Sequence, residues 1–159
     1  MCCDGSLFMR ADVRPHEDHT HLRSLGLDVL EQEGKPVFRL PCKNLAAQGC
    51  SIYPARPFTC RQFRCELLKA YESGAVSLSE ASARIDKVKA LLAGGALRQD
   101  LEAITPERGL DYRKLLEAAH STIAASDNPA AMRKCHAATL AVAMQVVHSL
   151  QCDFYRPAE

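Results

Sequence analysis

Apolar residues recur at three- and four-residue steps through the second half of the chain, and no such period runs through the first. Leu78, Ala81, Ile85, Val88 and Leu92 fall on one face of a helix. Its start is written by Ser77-Leu78-Ser79-Glu80, which has the spacing of a capping box, and its end by Gly94-Gly95. Thr105-Pro106 reads as the N-cap and first residue of a second helix, with Leu116, Ala119 and Ile123 carrying its stripe towards Ser126-Asp127. Asn128-Pro129 opens a last, long helix whose buried side is Met132, Cys135, Thr139, Ala143, Val146 and Leu150. Helices joined by such short turns predict an antiparallel bundle.

In the first half, Thr20 to Leu25 predicts a helical turn closed by Gly26, and Val37–Leu40 and Ser51–Tyr53 are short enough to be single strands or extended pieces. Pro36, Pro41, Pro54 and Pro57 exclude a long helix between them, because each lacks an amide hydrogen and restricts its predecessor. A segment so poor in regular structure needs another source of order. The expected fold is therefore mainly α, one domain over residues 1–159. An antiparallel helical bundle at 76–155 packs on a loop-rich, metal-pinned cysteine part at 1–75 that carries short β pieces.

The length of 159 residues suits one domain with a real core. Lys plus Arg is 20 and Asp plus Glu is 19, so a net charge of +1 excludes a globally basic nucleic-acid binder and an acidic tail protein. At 47% apolar and 25% charged, the chain is too hydrophobic for disorder. The longest apolar stretch, Ala137–Val147, is broken by Thr139 and Gln145 and is far shorter than the roughly 20 residues of a membrane span, so no membrane partner is expected. Neither a basic n-region nor an apolar h-region follows Met1. Eight cysteines in 159 residues fall below the roughly 8–10% of a disulfide scaffold. A cytoplasmic protein is expected, in which clustered thiols mean metal or redox chemistry.

Six of those cysteines, Cys2, Cys3, Cys42, Cys50, Cys60 and Cys65, precede residue 70. Between Glu33 and Glu66 there is no acidic residue, while Lys35, Arg39, Lys43, Arg56, Arg61 and Arg64 all fall there. Four thiolates around one Zn²⁺, or around a cubane cluster with a 2+ core, leave a charge near −2, which neighbouring guanidinium groups stabilise. The plain alternative is that the cations cover a solvated face and the cysteines are small buried hydrophobes. Spacing alone, Cys42-x7-Cys50-x9-Cys60-x4-Cys65, matches neither paired zinc knuckles nor a ferredoxin run.

The words around the cysteines are more specific. Cys2-Cys3, Pro41-Cys42-Lys43-Asn44-Leu45 and the run from Cys50 to Cys65, sharpest in its C-x-I-Y-x-x-R-P-x-x-C-R part, resemble the YkgJ family of CxxCxxCC zinc- or iron-chelating domains. The resemblance covers about residues 1–75 and implies a small metal-chelating module, of a kind also found within flagellin lysine N-methylases. Carried over by position, Cys3, Cys42, Cys50 and Cys60 match its most regular cysteines, and Cys2 and Cys65 less regular ones. The chain departs from the family at its start, where two further cysteines usually stand ahead of the Cys-Cys pair.

A physical reading of the run agrees. Arg56-Pro57 sets a rigid corner that lets Cys50 and Cys60 return to one point, Arg56 or Arg61 would sit behind the thiolates, and Tyr53, Phe58 and Phe63 would keep water from them. His16, His19 and His21 crowd the segment after Cys3, and on an extended chain His19 and His21 share a side. They read as solvent-exposed imidazoles ranked below the thiols as ligands. His120, His136 and His148 read as surface or capping residues, Cys135 as a buried small hydrophobe and Cys152 as lying just past the last helix.

Phosphate-loop, dinucleotide, nucleophile-elbow and H-E-x-x-H signatures are absent. The expected function is a metal-binding protein holding one zinc or iron centre, mononuclear or iron–sulfur, through Cys3, Cys42, Cys50 and Cys60. The alternatives are an enzyme related to the flagellin methylases, a thiol catalyst using Cys60 or Cys65 beside Arg61 and Arg64, and a nucleic-acid contact by the acid-free stretch, which only local charge supports.

Overall fold

A computed structural model describes residues 2–155 and divides the chain into two compact units, Met1–Arg64 and Cys65–Glu159. The chain is mainly α with a small antiparallel sheet.

The first unit is built around that sheet, whose strands β1 (Arg10–Asp12), β2 (Val29–Gln32) and β3 (Lys35–Arg39) lie in the order β1-β3-β2. Both pairings are antiparallel, with Ala11 and Val29 on either side of Phe38. The two-residue turn between β2 and β3 places Glu33 at φ 55° and Gly34 at φ 72°, the two positive angles that a tight hairpin requires. Pro36 lies near the start of β3, and its carbonyl accepts Val13 N–H at 2.9 Å. Val13, Leu22, Leu27, Val29, Phe38 and Leu40 form the core of the unit.

Helix α1 (His19–Ser24) supplies Leu22 to that core. Asp18 caps it, accepting the Thr20 and His21 amides at 2.8 and 3.2 Å, and these two bonds hold the Asp18 carboxyl below the usual aspartate range. The expected helical turn is thus present, closed by Gly26 at φ 83°. Val37–Leu40 largely coincides with β3, but Ser51–Tyr53 is not a strand. Extended pairing there is confined to a two-residue hairpin, β4 (Leu45–Ala46) with β5 (Gly49–Cys50), followed by a single 3₁₀ turn at Tyr53–Ala55 that Pro54 initiates. Helix α2 (Phe58–Gln62) completes the unit.

The second unit is helical: α3 (Glu66–Glu72), α4 (Leu78–Leu92), α5 (Ala96–Ile104), α6 (Tyr112–Ala124), α7 (Pro129–Cys135) and α8 (Ala137–Asp153). α4 starts as the sequence predicts, with Ser77 and Glu80 closing a reciprocal capping box. Its face buries Ala81 and Val88 but leaves Leu78 exposed. α4, α5, α6 and α8 pack on one another, and Val88, Leu101, Leu115, Ala119, Ile123, Ala143 and Val146 are all but sealed from water.

Two helix boundaries differ from the expectation. Thr105-Pro106 does not open a helix: Thr105 is extended (φ −120°, ψ 147°), as a residue before proline prefers, and closes α5. α5 is not among the predicted elements, because Gly94-Gly95 reads as the stop of one helix and Thr105 as the start of the next, although Leu97, Leu101 and Ile104 carry a helical period. α6 starts later, at the Asp111 N-cap, whose carboxylate accepts Lys114 N–H at 2.9 Å. The last long helix is also two helices. Asn128-Pro129 does start α7, but the chain leaves helical geometry at His136 (φ −102°, ψ 12°). That break turns Cys135 out to solvent, so it is not the buried residue a continuous helix would make it. Among the described residues no helix is long and apolar enough to cross a membrane.

Candidate metal centre

All eight cysteines are free thiols, and four of the six in the front half share one electrostatic neighbourhood. Each comes from a different local structure. Cys3 lies in a tight N-terminal turn stabilised by Asp4, whose carboxylate accepts Ser6 N–H at 2.9 Å. Gly5 in that turn is buried at φ 78°, a left-handed angle that favours glycine, and it lies against the Leu40-Pro41 backbone, where a Cβ would stand 3.4 Å from Pro41 N. The result is a direct backbone link, Cys42 N–H donating to the Cys3 carbonyl at 2.7 Å.

Cys42 and Cys50 are brought near each other by the β4–β5 hairpin, in which Cys50 pairs with Leu45 and Cys42 closes a turn by accepting Leu45 N–H at 3.0 Å. Asn44 anchors this hairpin in both directions. Its Nδ2 donates to the Leu25 carbonyl at 2.9 Å, and its own carbonyl accepts the Ser51 amide at 2.9 Å.

Cys60 sits in the middle of α2, a five-residue helix too short to hold itself. It is clamped from outside instead. Glu17 uses one carboxylate oxygen on Phe58 N–H at 2.7 Å and the other on Arg14 N–H at 2.9 Å, and Thr59 Oγ1 donates to the Asp12 carbonyl at 2.7 Å. Cys42, Cys60, Phe8 and Ile52 pack against the core of the unit.

Burial pushes the Cys60 thiol up to about 12, with the charges of Cys3, Cys42 and Cys50 adding to the rise and the Arg56 guanidinium opposing it. The Cys3 thiol is raised for the same reasons, burial first and then Cys42 and Cys50. All four cysteines named from the sequence are partly buried, and Cys3 and Cys60 both feel the charges of Cys42 and Cys50. Among the described residues no group of three or more His, Cys, Asp or Glu side chains stands in the arrangement of a formed coordination shell.

Thiols are the donor type that soft cations prefer, and the same segment holds one buried donor without a partner, Arg56 Nε. Arg56 is half-buried and its guanidinium carbon lies 3.8 Å from the centroid of the Tyr53 ring. Lys35, Arg39, Lys43, Arg61 and Arg64 are exposed, so the solvated-face reading holds for five of the six cations in the acid-free stretch. The aromatic shell also differs from expectation. Tyr53 is 59% exposed, whereas Phe63 stands edge-on to Phe8 with centroids 5.1 Å apart and Phe58 is met edge-on by His16 at 5.2 Å. Phe8 and Ile52 pack against the same apolar core as Cys42 and Cys60 and carry no signal in sequence beyond being apolar.

The remaining candidates lie elsewhere. Cys65 is the N-cap of α3, its sulfur accepting Leu68 N–H at 3.4 Å. His19 and His21 lie on helix α1 and not on an extended segment, so residues two apart point to different sides. His16, His21, His120 and His148 are exposed, and His148 lies beside the exposed Cys152 at 3.7–3.8 Å near the end of α8. Glu17, Asn44 and Gly5 were missed as positioning residues, since nothing in the sequence marks their partners 41, 19 and 36 positions away. No family model, no curated protein and no solved structure matches the chain.

Proposed function

We propose that this protein binds metal, holding one zinc or iron centre, mononuclear or iron–sulfur, through the thiolates of Cys3, Cys42, Cys50 and Cys60. The observation that supports this reading is that four partly buried free thiols come from separate segments of the first unit, with Cys3, Cys42 and Cys50 near enough to Cys60 for their charges to act on it. A cation there replaces four S–H protons and relieves the repulsion that ionising them alone would create. The irregular first unit, whose regular elements are three to six residues long at most apart from two-residue strands, gains a cross-link from each ligand.

The resemblance of the cysteine run at about residues 1–75 to the YkgJ family favours the same reading; a cytoplasmic location is proposed from the clustered free thiols, and an antiparallel bundle at 76–155 from the helical periods and short turns. A nucleophilic role for Cys60 is disfavoured, because a thiol that holds its proton to about 12 supplies almost no thiolate at neutral pH.

Elemental analysis of protein purified without oxygen tests the reading. One zinc or one iron centre per chain is expected in the wild type, with a brown colour for iron and none for zinc. Cys3→Ser, Cys42→Ser, Cys50→Ser and Cys60→Ser should each lower occupancy, while Cys135→Ser and Cys152→Ser should not. Metal-free wild-type protein that stays folded and takes up neither metal would end the proposal.

A further inference from the structure

α8 buries Leu140, Ala143, Val146 and Leu150 and leaves His148 and Cys152 exposed on the other side of the helix. The two are four residues apart, one helical turn, so they lie one above the other on the same face. Because Cα–Cβ bonds tilt towards the helix N-terminus, the Cys152 side chain reaches back over His148. Its sulfur lies 3.7 Å from Nε2 and 3.8 Å from Nδ1 of the ring. An ion bound at about 2.3 Å from sulfur and about 2.0–2.1 Å from nitrogen, the lengths that zinc makes, spans such a pair at an angle of roughly 115–125°. That is nearer the trigonal angle than the tetrahedral one. The imidazole is exposed, and its ring torsion is soft, so turning it aims a nitrogen lone pair at a shared ion without moving the backbone. The turn itself is held: Asp153, the last residue of α8, accepts from Arg84 Nη1 of α4 at 3.0 Å. This also commits the carboxylate next to Cys152 to a guanidinium, leaving a thiol and an imidazole as the donors of the pair.

We propose that His148 and Cys152 form a copper site of their own on the second unit, chelating one Cu⁺ between the Cys152 sulfur and a His148 ring nitrogen. The site does not depend on the cysteines of the first unit. A soft thiol beside an imidazole selects Cu⁺ over harder ions. Coordination number selects in the same direction, because Cu⁺ is satisfied by two or three soft donors whereas structural zinc takes four. Charge does so too. On binding, the S–H bond breaks, its proton leaves to solvent, and the thiolate with Cu⁺ and a neutral imidazole makes an uncharged complex. No electron is transferred. The third, trigonal position stays open to a soft donor from solution.

Cu⁺ supplied without oxygen to the full-length chain is the probe, read cysteine by cysteine through iodoacetamide labelling and peptide mass spectrometry, so that uptake by the first unit does not obscure the result. Cu⁺ should protect Cys152 from alkylation and leave Cys135, the other exposed thiol, reacting as before. His148→Ala should lose the protection, and His148→Gln, which keeps a polar side chain on the helix, should lose it as well. Cu⁺ is diamagnetic, so the His148 ring-proton resonances give a second reading: they should move in the wild type and stay in place in Cys152→Ser. Zn²⁺ at the same concentration should protect Cys152 less. Protection that survives both His148 substitutions overturns the chelate, since the thiol is then binding alone. Cys152 alkylated equally fast with and without Cu⁺, or His148 resonances that do not move, overturns the site. Equal protection by Zn²⁺ and Cu⁺ overturns the assignment to a soft univalent ion.

Discussion

In the metal-free chain the thiol of Cys60 keeps its proton to about pH 12, because burial and the charges of Cys3, Cys42 and Cys50 oppose the thiolate more than Arg56 favours it. The sign of the consequence follows. The folded value lies above the ordinary 9.0, so the fold prefers the neutral thiol, and the stability this contributes is complete below about pH 9 and is lost as the pH rises towards about 12. Urea midpoints of the metal-free protein should fall across that window, and Cys60→Ala should flatten the fall. A slope unchanged by the substitution would show that Cys60 is not where the strain lies. The same proton inventory governs metal uptake. The raised Cys3 and Cys60 thiols must each lose a proton to become ligands, so Zn²⁺ binding should release protons and tighten as the pH rises. Calorimetric titrations in buffers of different ionisation enthalpy measure the number released directly, and a value near zero would contradict thiolate ligation.

At the scale of elements, the cysteines are held by segments that have little regular structure of their own. α2 has five residues, and the acceptor of its first amide is the side chain of Glu17, 41 positions earlier. Glu17→Ala removes the partner of Phe58 N–H and of Arg14 N–H together, both charge-assisted bonds. Loss of about 1.5–3 kcal/mol is expected by denaturant titration, taking the usual worth of a hydrogen bond to a charged group. Metal affinity should fall as well, because the clamp that places Cys60 is gone. If affinity is unaffected while stability drops, α2 is placed by its apolar contacts and not by Glu17. In the second unit α4, α6 and α7 are set differently, by local caps: Ser77 with Glu80, Asp111 on Lys114, Asn128 on Ala131. For this reason their starts are local properties, whereas the placement of α2 is not.

At the scale of the molecule, the two compact units differ in what orders them. The second has an interior dominated by Leu101, Leu115, Ile123 and Val146, each sealed from water, which is the ordinary hydrophobic source of stability. The first has a smaller apolar core of six residues beside the four thiols. Removing metal with a chelator should therefore act unevenly. Amide hydrogen exchange should accelerate within residues 2–64, most at Cys3, Cys42, Cys50 and α2, and change far less in α4, α6 and α8. Uniform acceleration along the chain would place the metal's contribution somewhere other than in the first unit.

The sequence by itself determined what is local or chemical in kind. The capping box at Ser77, the α7 start at Asn128-Pro129, the helical period of α4 and α6, and the gathering of cysteines among prolines are all written within a few residues, because caps, turns and periods act over one or two helical turns. The resemblance singles out Cys3, Cys42, Cys50 and Cys60 by the residues around them. What only the tertiary structure decided is how distant segments meet: Gly5 against Pro41, Glu17 under Phe58, Asn44 on Leu25, and one arginine of six turned inward over Tyr53. The break at His136 and the extended Thr105 belong to the same class, since each local pattern admits two conformations and packing chooses between them. The sequence supplies donors and acceptors but not their distances, and a buried donor's need for a partner is visible only once the chain has folded around it.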